Sequence, residues 1–286
     1  MQTEALHLAH DLCNTLTKYF SGSGNRRENL NTPLRLYTRK GDLLSVAKAL
    51  KVLQYVNAAI RHYRAFASNF TVDSLLEPMI QHALLGFLVE DVFCHFIPAA
   101  DHINPSTTFD DPVGILYKRL QGANRRLAGT WRAVAYLAAT ESRDLTSLVL
   151  TKSSARLKEL HQVFSKFKSS NVSNGLPLDM LMTTFSLRLQ RIYQSAWAIQ
   201  DKIRTAYLDV DFSVFVPTTG KQVDRRNMRL APEHHECTSK RCVIVLNARL
   251  GLRVWRKRVN SIGIFVTEDI IFLKPDILCT HGILNN

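Results

Sequence analysis

The chain has few of the features that identify secreted and membrane proteins. It contains 5 cysteines in 286 residues, an odd number spread too widely for the disulfide framework of a small secreted domain. Its first residues lack a basic segment followed by an apolar run, so no secretory signal is expected. The most apolar stretch, 79–97, would have to bury Glu90 and Asp91 in lipid. We therefore predict a reducing location, cytoplasmic or nuclear, and no membrane span.

Complete catalytic and cofactor motifs are also missing. The small segment Gly22-Ser23-Gly24 lacks the Gly-Lys-Ser/Thr of a phosphate-binding loop and the Gly-x-Ser-x-Gly of a nucleophile elbow. Asp91 and His95 are four residues apart and could touch on a helix. We interpret them as a buried polar contact or a solvated helix end. The sequence therefore predicts no catalytic residue and no cofactor, and whether the chain is an enzyme stays open, with the balance against it.

A helix-period apolar pattern fills the chain as far as Val210. Apolar residues recur every three or four positions, which is typical of helices with one buried face. Pro177 is suited to the first turn of a long helix, whose predicted core stripe includes Ile199 and Tyr207. The pattern predicts helices over 2–20, 42–69, 71–96, 113–139 and 142–168, and a sixth from Pro177 onward.

After Val210 the pattern changes to short strands. Phe212 and Val214 alternate with polar residues, and β-branched runs follow at 242–246, 262–266 and 270–279, the last predicted as a strand pair or one bent strand. We predict a mainly α fold, an irregular multi-helix bundle over 1–210. A small β-containing segment over 211–286 is expected to dock on this bundle because its runs are too apolar to stand alone.

Positive charge is the strongest compositional bias, with a formal net charge of +13. Such an excess favours contact with polyanions but says nothing about fold. A first basic set lies at 118–132 with Trp131. The second, which combines phosphate-neutralising cations with a stacking aromatic, is Arg225, Arg226, Arg229, Arg253, Trp255, Arg256, Lys257 and Arg258. No nucleic-acid-binding fingerprint accompanies either set, and a solvated or salt-bridged surface is the simpler interpretation.

Thiolate and imidazole ligands are concentrated in one short segment. Zinc prefers such ligands, and the candidates are His234, His235, Cys237 and Cys242. The spacing of the two cysteines is unusual for zinc, and adjacent histidines rarely both reach one ion. The alternative is a solvated loop before a strand, in which Cys242 packs as a small apolar residue.

Three segments resemble a group of uncharacterised, mostly helical proteins from filamentous fungi. They are 75–85 leading to 92–96, then 196–216 followed by Pro217-Thr-Thr-Gly220 and Met228, and finally 270–279. The resemblance implies a helical body with a short C-terminal β element. It implies no activity, so no functional residue is carried over.

These observations lead to three hypotheses about function. The first is a non-enzymatic intracellular interaction or regulatory protein whose basic surface meets an acidic protein partner. The second is a nucleic-acid-binding protein that uses the C-terminal Arg/Lys-rich segment. The third is a helical accessory enzyme of fungal secondary metabolism, which would need a pocket lined by convergent polar groups. The sequence sets no oligomeric state.

Overall fold

Helices precede strands throughout this computed structural model, which describes residues 1–20, 75–94, 112–141, 143–165, 177–231, 242–259 and 265–281. The α-helices described are α1 (Gln2–Phe20), α2 (Leu76–Leu88), α3 (Pro112–Ala123), α4 (Arg125–Thr140), α5 (Leu145–Phe164) and α6 (Leu178–Thr205). The strands described are β1 (Asp211–Phe215), β2 (Arg229–Leu230), β3 (Cys242–Asn247), β4 (Gly251–Val259), β5 (Phe265–Leu273) and β6 (Asp276–His281). The mainly α class is confirmed, whereas the helix predicted over 42–69 lies outside the described residues. None of the helices in these ranges is both long and apolar enough to span a membrane.

The helix predicted over 71–96 changes its type part-way along. Pro78 lies in the first turn of α2, where its missing N–H costs no hydrogen bond. The α-helix ends at Leu88 and continues as a π-helical segment (Val89–Phe93). A π-helical turn inserts an extra residue, and it rotates the side chains that follow relative to those before it.

The single helix predicted over 113–139 is wrong, because two helices meet there. Asn124 adopts an extended conformation between α3 and α4, and its side-chain oxygen accepts the amide of Leu127 at 3.0 Å. This is an N-cap, which satisfies a backbone donor that the start of a helix leaves free. Asp144 caps α5 in the same way, accepting the amides of Thr146 and Ser147.

Helix α6 is the central helix of the described part. It starts directly after Pro177, as predicted, and packs against α1, α4 and α5. Its buried stripe includes Leu181, Phe185 and Leu189, whereas Ile199 is part-exposed near its C-terminal end. The predicted core stripe is therefore confirmed from Leu181 through Ala196, is interrupted at Ile199 and is buried again at Ile203.

The strands form two three-stranded sheets. In the first sheet β4 lies between β1 and β5, and both pairings are antiparallel. In the second, β6 lies between β3 and β2, and its pairing with β2 is parallel. The segment 270–279 is thus neither one bent strand nor a pair, because β5 and β6 belong to different sheets. Pro275 separates them, and its lack of an N–H suits a break between ladders.

Helices and strands share one apolar core. Leu246, Leu250 and Leu278 belong to the same buried cluster as residues of α1, α2, α5 and α6. Polar contacts join the same surfaces: the amide of Asn247 donates to His82 Nδ1 at 3.1 Å, and Gln81 donates to the Ala248 carbonyl. The C-terminal strands are therefore attached to the helices by burial and by hydrogen bonds between α2 and the end of β3.

Candidate functional site

A cavity of about 560 Å³ lies between the C-terminal half of α6 and the first sheet. This volume falls within the range of about 300–1,000 Å³ that is usual for small-molecule sites. Almost all of its lining is apolar. It is formed by residues of α6, β1, β4 and β5, together with Met1, Gln2, Phe93, Tyr207, Val210 and Leu250.

The sheet wall follows from the alternation of side chains along a strand. On β4, Leu252 and Val254 face the cavity, while the residue between them faces away. In the β1–β4 register, Phe212 lies opposite Val254 and Val214 lies opposite Leu252, so these side chains cover the same side. A continuous apolar surface therefore crosses the strands.

An irregularity in β5 brings additional apolar side chains to this wall. The β4–β5 register shifts between Leu252 and Arg253, so that Leu252 pairs with Leu273 but Arg253 pairs with Ile271. A bulge leaves one residue, Phe272, without a direct partner. Both Phe272 and Leu273 line the cavity as a result. Phe272 is 68% exposed, unusually high for a phenylalanine beside a large apolar surface.

The helix wall is built by the last turns of α6 and the residues just after it. Ile199 and Ile203 are four positions apart and share one face. Tyr207, which follows the helix end, packs its ring against Phe212 with centroids 5.0 Å apart. Ile199 and Tyr207 are 37% and 51% exposed, so the interruption in the core stripe coincides with the opening of the cavity.

Few polar side chains reach the lining. Gln2 donates a hydrogen bond to the Leu250 carbonyl at 3.5 Å. The charged members of the lining are Lys202 and Arg256, and both are cations. Arg256 Nε lies 2.8 Å from a carboxylate oxygen of Glu268. Lys202 forms no ion pair with the described residues and is exposed.

Strand β1 is held in position by a polar cluster at its first residue. The carboxylate of Asp211 accepts hydrogen bonds from Tyr117 and Gln121, and it pairs with Arg125 at 2.9 Å and Arg132 at 2.5 Å. The Arg132 side chain is buried and also donates to the Tyr207 carbonyl at 2.5 Å. Helices α3 and α4 thus fix the start of the sheet wall.

Burial and charge shift two pKa values in this cluster. Burial, followed by the hydrogen bond and charge of Asp211, raises the pKa of Tyr117 to about 12. Burial and the neighbouring Arg132 lower the pKa of Arg204 to about 10. Tyr117 is therefore neutral and Arg204 is charged at neutral pH.

The outer face of the first sheet, which faces away from the cavity, brings Arg253 together with two aromatic rings. The Arg253 guanidinium lies 5.1 Å from the centre of the Phe215 ring and 5.6 Å from that of Trp255. Asp269 on β5 lies 3.5 Å from Arg253 Nε. Of the residues predicted from the basic pattern, Arg253 and Trp255 are thus brought together, while Arg256 belongs to the opposite face.

The remaining predicted basic residues lie in two places, at and just before β2 and in the second half of β4. Arg225 and Arg226 are exposed in the segment before β2, and Arg229 pairs with Asp276 at 2.9 Å. Lys257 and Arg258 lie in β4 opposite Thr267 and Val266 of β5. Several arginines of the two basic sets therefore form ion pairs within the fold: Arg229, Arg253 and Arg256 of the second set, and Arg125 and Arg132 of the first.

The predicted zinc ligands are only partly within the described residues. His234, His235 and Cys237 lie outside them. Cys242 is buried, disulfide-bonded, and packed against Cys279, Val223 and Leu230. A disulfide sulfur offers no thiolate to a metal. No group of three or more His, Cys, Asp or Glu side chains suited to a metal occurs in the ranges that the structure covers.

Asp91 has partners that the sequence did not indicate. His95, its predicted neighbour, is outside the described residues. The carboxylate instead receives two hydrogen bonds from Arg156, each 2.8 Å long, and one from the Tyr193 hydroxyl at 2.6 Å. Burial and the charge of Asp91 raise the pKa of Tyr193 well above its usual range. Asp91 is thus the centre of a hydrogen-bonded network at the π-helical segment.

Arg256 is the one residue of the cavity lining that the sequence singled out as a site residue, although a signal for the apolar wall existed. The stretch 252–256 alternates Leu252 and Val254 with Arg253 and Trp255, which is the pattern of a strand with one apolar face. The wider segment 249–258 contains five basic residues, so its charge was a stronger signal than this alternation.

The chain was compared with protein-family models, with characterised proteins and with solved structures, and none of the three comparisons finds a match.

Proposed function

We propose that the chain is a non-enzymatic interaction protein that holds the apolar part of a small ligand between α6 and the first sheet. The observation that carries this proposal is the cavity of about 560 Å³ with its apolar lining. We propose no reaction for the polar side chains that reach it, which are those of Gln2, Lys202, Tyr207 and Arg256. The resemblance to helical fungal proteins and an intracellular location remain predictions.

The exposed apolar residues around the cavity support binding. Phe272, Leu273 and Tyr207 leave large parts of their apolar surface open to water. Burying such surface contributes about 25 cal/mol per Å². A ligand that covers these side chains therefore binds with a favourable contribution from the burial of their apolar surface. Contiguous exposed apolar surface of this kind commonly marks a binding site.

Two tryptophan substitutions on adjacent residues of β5 test the proposal. Ile270 lines the cavity and is 36% exposed, whereas Ile271 follows it on the other side of the strand. We expect Ile270→Trp to narrow the cavity and to weaken the saturable binding of Nile red, a neutral apolar dye whose fluorescence reports binding. Ile271→Trp is the matched control and should bind the dye as the parent protein does.

Circular dichroism and thermal unfolding of both variants establish that they are folded before the dye is added. Equal dye binding by the two variants, or no saturable binding by the parent chain, would remove the cavity as the functional site. The two variants differ only in which side of the strand receives the tryptophan, so a difference in dye binding reports on the cavity side alone.

A second candidate function uses the outer face of the first sheet. There the Arg253 guanidinium lies close to the rings of both Phe215 and Trp255. Cations beside aromatic faces suit phosphates and stacked bases, and also carboxylates of an acidic protein. Of the basic surface expected from the sequence, this face carries Arg253 and Trp255, and Asp269 weakens its attraction for an anion by partly neutralising Arg253.

The second candidate is tested by fluorescence anisotropy with a labelled single-stranded RNA. If the face binds nucleic acid, affinity falls steeply with added salt and falls further in Trp255→Ala. Phe272→Ala, which removes an exposed aromatic ring from the opposite face of the same sheet, is the control. Salt-insensitive binding, or equal loss in both variants, counts against a nucleic-acid partner and leaves the acidic protein to be sought by affinity capture.

A further inference from the structure

We infer that the ligand of the cavity is an amphipathic anion, a long-chain carboxylate whose apolar chain lies between α6 and the first sheet and whose head group meets Lys202. This inference rests on the proposed function, since it names the chemical class of ligand for the same cavity. Two observations carry it: the apolar lining and the sign of the charges within that lining.

The lining contains cations and no acidic side chain. Lys202 comes from α6 and Arg256 from β4, so the positive charges belong to the two opposite walls. A carboxylate placed near them gains favourable charge interactions, and an ammonium head group would be repelled. Charge complementarity therefore selects the anion among ligands with the same apolar chain.

The two cations are not equivalent. Glu268 lies 2.8 Å from Arg256 Nε and neutralises part of its charge. Lys202 has no ion-pair partner among the described residues, and its exposed side chain can reach a head group at the rim. Lysine is suited to this position because its ammonium group sits on a flexible four-carbon stem. Lys202 is thus the residue whose charge is available to a ligand.

Lys202 also has a simpler explanation, which the experiment must separate from ligand binding. It lies in the last turn of α6, where a cation interacts favourably with the helix dipole. That role affects the stability of the helix and does not distinguish between ligands. A ligand role predicts instead that replacing Lys202 weakens the binding of an anion while the binding of a neutral molecule of equal length is unchanged.

The experiment is isothermal titration calorimetry of the full chain with dodecanoate, dodecanol and dodecyltrimethylammonium, each below the concentration at which it aggregates. We expect dodecanoate to bind about three- to ten-fold more tightly than dodecanol, and the ammonium compound to bind more weakly than both. Shortening the carboxylate by one methylene should weaken binding roughly four-fold, because each buried methylene contributes to apolar transfer.

Lys202→Gln then tests the assignment of the head group. The variant should lose the preference for dodecanoate and retain its affinity for dodecanol. Lys158→Gln, which removes an exposed lysine on α5 that is not part of the lining, is the matched control and should behave as the parent chain. Raising the salt concentration should reduce the difference between the carboxylate and the alcohol, because salt screens exposed charges.

The outcomes separate this inference from the proposed function. Equal affinity for dodecanoate and dodecanol, or a preference that survives in Lys202→Gln, overturns the anionic ligand while leaving an apolar site in place. Tighter binding of the ammonium compound overturns it as well. Failure of all three compounds to bind overturns the cavity as a ligand site and the inference with it.

Discussion

Arg156 donates two parallel hydrogen bonds to Asp91, from Nε to Oδ2 and from Nη2 to Oδ1, each 2.8 Å long. The pair joins α5 to the π-helical segment that follows α2. Tyr193 of α6 donates to the same carboxylate at 2.6 Å, so one acidic group connects three elements. Phe87 covers the guanidinium, whose carbon lies 4.5 Å from the ring centre.

Removing one partner of this pair should be costly. Arg156→Gln leaves the Asp91 carboxylate buried without its counter-charge, and we expect the free energy of unfolding to fall by roughly 3–5 kcal/mol. Urea unfolding followed by circular dichroism measures this change. Glu159→Gln is the control, because it removes an exposed partner of the same guanidinium and should cost no more than about 1 kcal/mol. Similar losses in both variants would mean that the pair is not the important contact.

Lowering the pH should weaken the contact between α2 and the end of β3, because this contact includes His82. Burial lowers the pKa of His82 to about 4 from an ordinary value of 6.5, and Nδ1 accepts the amide of Asn247. Between these two pKa values His82 is protonated in the unfolded chain and neutral in the folded chain. The free energy of unfolding therefore falls as the pH decreases from 6.5 to about 4. The ring is only partly enclosed, so the loss is on the order of 1–3 kcal/mol.

His82→Asn isolates this contribution, because an amide oxygen can accept the same hydrogen bond without titrating. We expect the variant to lose less stability than the parent chain over that pH range, as measured by urea unfolding at a series of pH values. His7→Asn, at an exposed position on α1, should keep the full pH dependence. If His82→Asn follows the parent curve, His82 is not the group that responds to acid.

Two helical glycines should respond in opposite directions to the same substitution. A Cβ on Gly129 of α4 would overlap the Leu208 carbonyl oxygen, so Gly129→Ala must separate α4 from the segment after α6. We expect a loss of about 3 kcal/mol. A Cβ on Gly86 of α2 meets nothing within 4 Å, so Gly86→Ala should gain roughly 0.5–1 kcal/mol from helix propensity. Thermal unfolding distinguishes these signs, and a neutral Gly129→Ala would contradict the close packing.

The spacing of residues along the chain predicted the helices and strands better than it predicted what packs against them. The start of α6 follows from Pro177, and its stripe follows from apolar spacing, because both are properties of the helix itself. The same stripe included Ile199 and Tyr207, which line the cavity. Spacing shows which side of a helix is apolar but not whether another element fills the space opposite. That depends on the strands that pack there, which are distant in sequence.

The site was harder to predict than the fold because β4 pairs with partners on both sides. The β4–β5 pairing and the β5 bulge decide which side Phe272 faces, and neither can be read from one strand. Charge was misleading for a related reason. Arg253 and Arg256 belong to opposite faces of β4 although they are three positions apart, so one basic segment supplies two different surfaces.

Asp211 should be the residue on which the sheet wall of the cavity depends. Asp211→Asn keeps the shape of the side chain but removes the charge that opposes Arg125 and Arg132. Because Arg132 is 1% exposed, water cannot replace the lost partner, and we expect a loss of roughly 3–5 kcal/mol in urea unfolding. Asp209→Asn, two residues earlier and exposed, should change stability by less than about 0.5 kcal/mol.

The same variant connects this cluster to the cavity. Strand β1 starts at Asp211 and contributes Phe212 and Val214 to the lining, so displacing its first residue should move that wall. We expect Asp211→Asn to bind Nile red more weakly than Asp209→Asn at a temperature where both remain folded. A lower free energy of unfolding with unchanged dye binding would show that the cluster stabilises the fold without shaping the cavity. In that case β4 and β5 alone would account for the sheet wall.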